Sequence, residues 1–150
     1  MTNRTFGLLI ANGALVLLAG FAVGMPYGMA VGQSLDPSAP QLVPGTLRAW
    51  NMAHLEGVLN GMLMIAAAAA AMKLTLGATG EKVLFWGLVV AGWTNVVAST
   101  ISALTGGRGT GITGFDWNTL DFLLFMAGIV GAVAAAIVLV RAGFATARKA

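Results

Sequence analysis

Long apolar runs separated by short polar stretches divide the chain into four blocks. The first runs from about Phe6 to Val31, with Asn3 and Arg4 before it and Asn12 as its main polar interruption. About 20 apolar residues span a bilayer, and each block is long enough to do so as a helix. The first run also extends well past the core of a secretory signal, which argues against cleavage. Pro26, flanked by Gly24 and Gly28, predicts a kink or an end in its outer part.

A polar loop, Gln33 to Gly45, follows, and its prolines at 37, 40 and 44 argue against helix or strand. Thr46 is the expected N-cap of a second helix from about Leu47 to Lys73. The second half of that helix, Ile65 to Met72, is nearly all alanine, small enough for neighbouring helices to approach closely. A short turn over Lys73 to Lys82 leads to a third helix, roughly Val83 to Leu104. The glycine-rich stretch Gly106 to Gly114 lacks the flanking strand and Gly-Lys-Ser/Thr ending of a phosphate loop, so it reads as a connection. The fourth helix is expected over about Leu120 to Val140, with Asp121 in its first turn favouring the helix dipole. The pattern therefore predicts an all-α, integral membrane four-helix bundle, one transmembrane domain over residues 1–150.

Cationic residues set the expected orientation. Arg4, Lys73, Lys82, Arg141, Arg148 and Lys149 fall on one side of four spans; Arg48 and Arg108 fall on the other. The positive-inside tendency then places both termini in the cytoplasm and the chain in the inner (cytoplasmic) membrane. Trp50 and Trp117 would lie at the opposite interface, where aromatic belts sit.

Composition narrows the chemistry. The chain is 58% hydrophobic and 9% charged, far below the roughly 25% charged residues of soluble domains. The absence of cysteine excludes disulfides, iron–sulfur clusters and thiolate-ligated haem. A net charge of +3 is spread over ends and loops without a basic patch, so nucleic acid is not an expected partner.

The single histidine, His54, lies near the start of the second helix, in Trp50-Asn-Met-Ala-His54-Leu-Glu56-Gly57-Val-Leu-Asn60-Gly61-Met62. Ionisable groups inside a membrane are costly unless satisfied, and they mark functional sites by default. At about 100° per residue, His54, Gly57, Val58 and Gly61 share one face, and Glu56, Asn60 and Leu63 another. The two glycines make a flat strip, open either to a planar macrocycle or to another helix. His54 itself could equally be an interfacial residue bonded to a loop carbonyl. One histidine per chain cannot build a tetrahedral zinc centre. As the sole ligand of a haem, it would leave an iron position open, which suits substrate binding better than electron transfer. Methionine, of which there are eight, could close that position in an electron carrier.

The stretch Trp50 to Met62, preceded by Val43-Pro44-Gly45, resembles the second helix of the membrane-bound styrene oxide isomerases, whose pattern is close to V-P-G followed by W-x-x-A-H-x-x-x-x-L-N-G-M. Gly92-Trp93-Thr94-Asn95-Val96 resembles their G-W-x-N-V, and Gly107-Arg108-Gly109 stands where they have Asn-Arg-Gly. The resemblance implies a homotrimer with haem b between neighbouring subunits, His54 as axial ligand to the iron, and Asn60 positioning the substrate. Ferric iron in that family acts as a Lewis acid on the epoxide oxygen; the benzylic C–O bond opens and a 1,2-hydride shift gives an aldehyde. Three positions depart from the pattern. Ala91 replaces an aspartate, Ser99 a tyrosine, and Glu56 a glycine.

The expected function is therefore a haem-b-dependent isomerase acting on a small hydrophobic epoxide. Ser99 and Glu56 are candidate replacement polar groups, Gly57 and Gly61 a candidate haem surface, and Arg48 and Arg108 candidate propionate contacts. Two other readings stay open: a haem-binding membrane protein active in electron transfer or sensing, and a structural membrane subunit without a cofactor.

Overall fold

The computed structural model describes residues 1–36, 38 and 40–149; Pro37, one of the three loop prolines, lies outside them, as do Ala39 and Ala150. Four helices make up the fold: α1 (Asn3–Leu35), α2 (Leu47–Ala71), α3 (Ala78–Thr105) and α4 (Trp117–Ala147). All four are long and apolar enough to cross a membrane. At 1.5 Å per residue, α1 with its 33 residues is about 50 Å long, so its polar ends extend beyond a hydrocarbon core of roughly 30 Å or the helix tilts.

Each boundary has a local cause. Thr2, Thr46 and Asp116 cap α1, α2 and α4, their side chains accepting from the backbone N–H of Thr5, Ala49 and Thr119. Gly106, at φ 76°, ends α3 in the left-handed conformation that glycine adopts without strain. Pro26 does not end α1, which continues through it to Leu35. Helix α3 begins at Ala78, so Lys82 lies inside it and not in the preceding turn. Helix α4 begins at Trp117, which moves Asp121 beyond the first turn and into the bundle.

The helices pack as two antiparallel pairs, α1 on α2 and α3 on α4, joined mainly through α2 against α3. Leu9 and Val16 of α1, Met64 and Ala68 of α2, Leu84 and Leu88 of α3 and Ala135 of α4 form the main core. A hydrogen bond from Trp93 Nε1 to Asn12 Oδ1 (3.1 Å) ties α3 to α1, satisfying the polar interruption of the first apolar run. At the end bearing the chain's start, Thr2 donates to Glu81 Oε1 through both N (3.0 Å) and Oγ1 (2.7 Å).

A second, smaller cluster closes the opposite end: Ala30, Trp50 and Ala103, with Val23, Tyr27 and Val43 against it. Trp50 is buried there rather than lying in a lipid-facing belt, and its Nε1 donates to Pro44 O (2.6 Å). Gly45 holds the 40–46 loop against α3. Its φ is +78°, and a Cβ there would meet the Ala103 carbonyl oxygen. Trp117, by contrast, is exposed, as an interfacial tryptophan should be.

Candidate functional site

The site begins with how closely α1 and α2 approach. Gly13, Gly20 and Gly24 of α1 face Gly57, Gly61 and the His54 ring of α2. A Cβ on Gly57 would meet the Cα of Gly20, and one on Gly61 would lie 2.6 Å from Leu17 N. Both glycines are buried between the helices. They are therefore not a surface for a macrocycle: the strip that sequence left open to either use is filled by α1.

That contact brings a backbone carbonyl within reach of the imidazole. His54 Nδ1 lies 2.8 Å from Gly20 O. A carbonyl only accepts, so Nδ1 carries the proton and donates, and the lone pair of the neutral ring resides on Nε2. Gly24 leaves room for this arrangement, since a Cβ there would stand 3.0 Å from Nδ1. Tyr27 completes the setting, its ring stacked on the imidazole with centroids 5.7 Å apart and planes 16° from parallel. Among the described residues no hydrogen bond reaches Nε2. A histidine with one nitrogen tied to a backbone carbonyl and the other free is the arrangement that metal-ligating histidines use. The donor set thus fits an axial haem ligand. Among the described residues there is no cluster of His, Cys, Asp or Glu that could hold a bare metal ion.

Glu56 and Asn60 occupy a different flank of α2, about 120–160° around the helix axis from His54. The buried stripe of Trp50, Ala53, Gly57, Gly61 and Met64 runs between them. Asn60 Nδ2 donates to both Glu56 Oε2 (2.7 Å) and Glu56 O (2.8 Å). The chain therefore joins Glu56 to Asn60 but brings neither to the imidazole.

Ser99 is not placed to replace a catalytic phenol. It is fully buried, and its hydroxyl donates to Asn95 O (2.7 Å) in its own helix. Ala91 is likewise buried in the bundle. Arg48 and Arg108 are both exposed at the end nearest His54, in the first turn of α2 and in the loop after α3. The Arg108 and Gly109 backbone N–H groups donate to Asn118 Oδ1 (3.1 and 3.0 Å), which fixes the glycine-rich loop over α4.

Sequence reasoning missed two groups. Tyr27 is not marked by any motif of its own, although α1 carries glycines at 13, 20 and 24, whose spacing marks a helix-contact stripe ending beside it. Asp121 was assigned to the helix dipole. It is instead fully buried, with Oδ2 accepting from Ser102 Oγ (2.7 Å) and Oδ1 without a partner among the described residues.

No curated protein matches the chain. The model of one protein family, described as styrene oxide isomerase, does match, over residues 5–144, which takes in all of α2 and α3 with both sequence motifs and nearly all of α1 and α4. A match of that extent, on four membrane-length helices with a lone histidine held between two of them, means that this chain belongs to the styrene oxide isomerase family.

Proposed function

We propose that the protein is a haem-b-dependent epoxide isomerase of the cytoplasmic membrane, with both termini in the cytoplasm and His54 as the axial ligand. The observation that carries this reading is the His54 imidazole itself. Its Nδ1 donates to Gly20 O, its ring is stacked by Tyr27, and among the described residues its Nε2 lone pair is free. The net reaction converts a styrene-oxide-like epoxide to an isomeric aldehyde, one C–O bond breaking and one hydrogen moving to the adjacent carbon, with no atom gained or lost. A haem held by His54 would supply ferric iron as a Lewis acid for the epoxide oxygen. The chain's own residues hold the ligand ring in one orientation, with the Gly20 carbonyl at Nδ1 and Tyr27 against its face. The exposed guanidinium groups of Arg48 and Arg108, at the same end, suit the haem propionates.

The separation of His54 from the Glu56–Asn60 pair around α2 supports a site shared between neighbouring copies, as in the homotrimer that the family resemblance implies. A site that uses both flanks takes one from each of two neighbouring copies. The test is the absorption spectrum and haem content of the purified protein, followed by incubation with styrene oxide. The expected result is a high-spin ferric spectrum, phenylacetaldehyde as product, and loss of haem without unfolding in His54→Ala. Retention of stoichiometric haem in that variant would remove the ligand assignment.

One observation favours a second reading, a haem-binding membrane protein without isomerase activity. The Asn60 amide is engaged by Glu56 and the Ser99 hydroxyl by its own helix. A low-spin spectrum with no turnover of any aryl or alkyl epoxide would select it.

A further inference from the structure

The Asn60 side chain has two N–H donors and one carbonyl. Both acceptors that face its nitrogen, the carboxylate oxygen Oε2 at 2.7 Å and the backbone carbonyl at 2.8 Å, belong to Glu56. A flipped amide would set its oxygen against two other acceptors, so the orientation is forced by the partners. What remains outward is the Asn60 Oδ1 and the second Glu56 oxygen. Among the described residues no donor reaches either of them.

The pair is half-buried in a helix of membrane-spanning length, where water to satisfy acceptors is scarce. It presents two acceptors and no donor. An epoxide oxygen also only accepts, so it gains nothing from this pair and repels its lone pairs. A hydroxyl on a carbon next to the epoxide ring has the missing hydrogen.

Resting on the epoxide-site reading above, we infer that Glu56 converts this flank of α2 into a receptor for a substrate bearing a hydrogen-bond donor. The substrate class is a hydroxy-epoxide rather than a bare hydrocarbon epoxide. The substrate hydroxyl would donate to Glu56 or to Asn60 Oδ1, with the epoxide oxygen left unengaged by the pair. Sites built to bond a hydroxyl reject analogues that lack it by factors of up to about 10⁴–10⁵ when fully enclosed. For a half-buried pair the expected discrimination is about ten- to a hundredfold.

The experiment compares 2-phenylethanol with its methyl ether, in which a methyl group replaces the donating hydrogen, binding to the full chain in lipid nanodiscs. Binding is measured by titration calorimetry on wild type, Glu56→Gly and Glu56→Gln; comparing proteins at each ligand cancels partitioning into the lipid. The expected result is that the alcohol-to-ether affinity ratio is at least about tenfold larger for wild type than for either variant. Both variants should lose that preference, because the glycine frees the Asn60 amide and the glutamine adds a donor of its own. With phenylglycidol and styrene oxide as substrates, kcat/KM should favour phenylglycidol in wild type and shift toward styrene oxide in Glu56→Gly. An alcohol-to-ether ratio that is the same in wild type and in both variants overturns the inference. Haem content read on the same samples separates this from failure of the isomerase reading, because ligand discrimination is measured without turnover.

Discussion

Tyr27 and His54 stack across the α1–α2 contact, ring centroids 5.7 Å apart and planes within 16° of parallel. The imidazole is thereby held from two directions, by a ring on its face and by the Gly20 carbonyl at Nδ1. Stacked aromatic pairs contribute about 0.5–1.5 kcal/mol beyond the area they bury. If the ring orientation prepares His54 for haem, Tyr27→Ala should raise the haem dissociation rate by about two- to tenfold, and Tyr27→Phe should leave it near wild type. Haem transfer to apomyoglobin, followed by absorbance, measures this; equal rates in the alanine and phenylalanine variants would deny the stack its positioning role.

The glycine contact makes a prediction with opposite signs at two sites. At Gly57 an added Cβ meets the backbone of Gly20, which cannot rotate aside as a side chain could. Gly57→Ala should destabilise the α1–α2 pair by about 1–3 kcal/mol or more and break the His54–Gly20 bond. At Gly32 nothing lies within 4 Å of an added Cβ. Gly32→Ala should instead be neutral or gain up to about 1 kcal/mol from helix propensity. Thermal unfolding in detergent reads both, and a Gly57→Ala protein as stable as Gly32→Ala would contradict the packing described.

Asp121 joins α4 to α3 through Ser102 and lies beneath the glycine-rich loop, where a Cβ on Gly107 would stand 3.0 Å from its Oδ2. Asp121→Asn keeps an acceptor for the Ser102 hydroxyl. Asp121→Ala removes it and leaves a buried hydroxyl without that partner, a loss of about 1–3 kcal/mol. The alanine variant should unfold at lower temperature and be cut faster by protease in the 106–114 loop, with the asparagine variant closer to wild type. Identical proteolysis of all three would show that the carboxyl does not support the loop.

Asp116 supplies a pH dependence outside the membrane spans. The backbone N–H of Thr119 (2.8 Å), and after it the hydroxyl of Thr113 (2.8 Å), hold its carboxyl below the ordinary value of 3.8. A depressed folded-state pKa stabilises the fold above the unfolded value and loses that contribution as pH falls through the folded one. The start of α4 should therefore loosen only below about pH 4, and Asp116→Asn, which caps as well but does not titrate there, should remove the dependence. Circular dichroism melts of the two proteins between pH 6 and 2 should diverge in the acid range. Parallel curves throughout would mean that the cap contributes nothing measurable.

Much of the molecule could be read from its apolar runs, because a bilayer demands about 20 apolar residues per spanning helix and each run met that demand. Thr46 as a cap was equally legible, since capping is local chemistry. Boundaries shifted where the sequence changed gradually: α3 starts earlier than Val83 and α4 earlier than Leu120 because Gly77 and Asp116 supply starts outside the apolar runs. The lone histidine in a greasy helix was visible at once as a candidate ligand. Which of its nitrogens is free was not, because that depends on a carbonyl from Gly20, 34 positions away.

By itself, then, the sequence determined four membrane-length helices, the family motif around His54 and the polar residues that break each apolar run, all properties of residues close together in the chain. Only the tertiary structure decided that Gly57 and Gly61 face α1, that Trp50 is buried, that Ser99 bonds its own helix in the core, and that Tyr27 covers the histidine. Those outcomes depend on which face of each helix meets its neighbour. Small residues at several positions allow more than one close approach, and the choice among them is made by packing across the whole bundle.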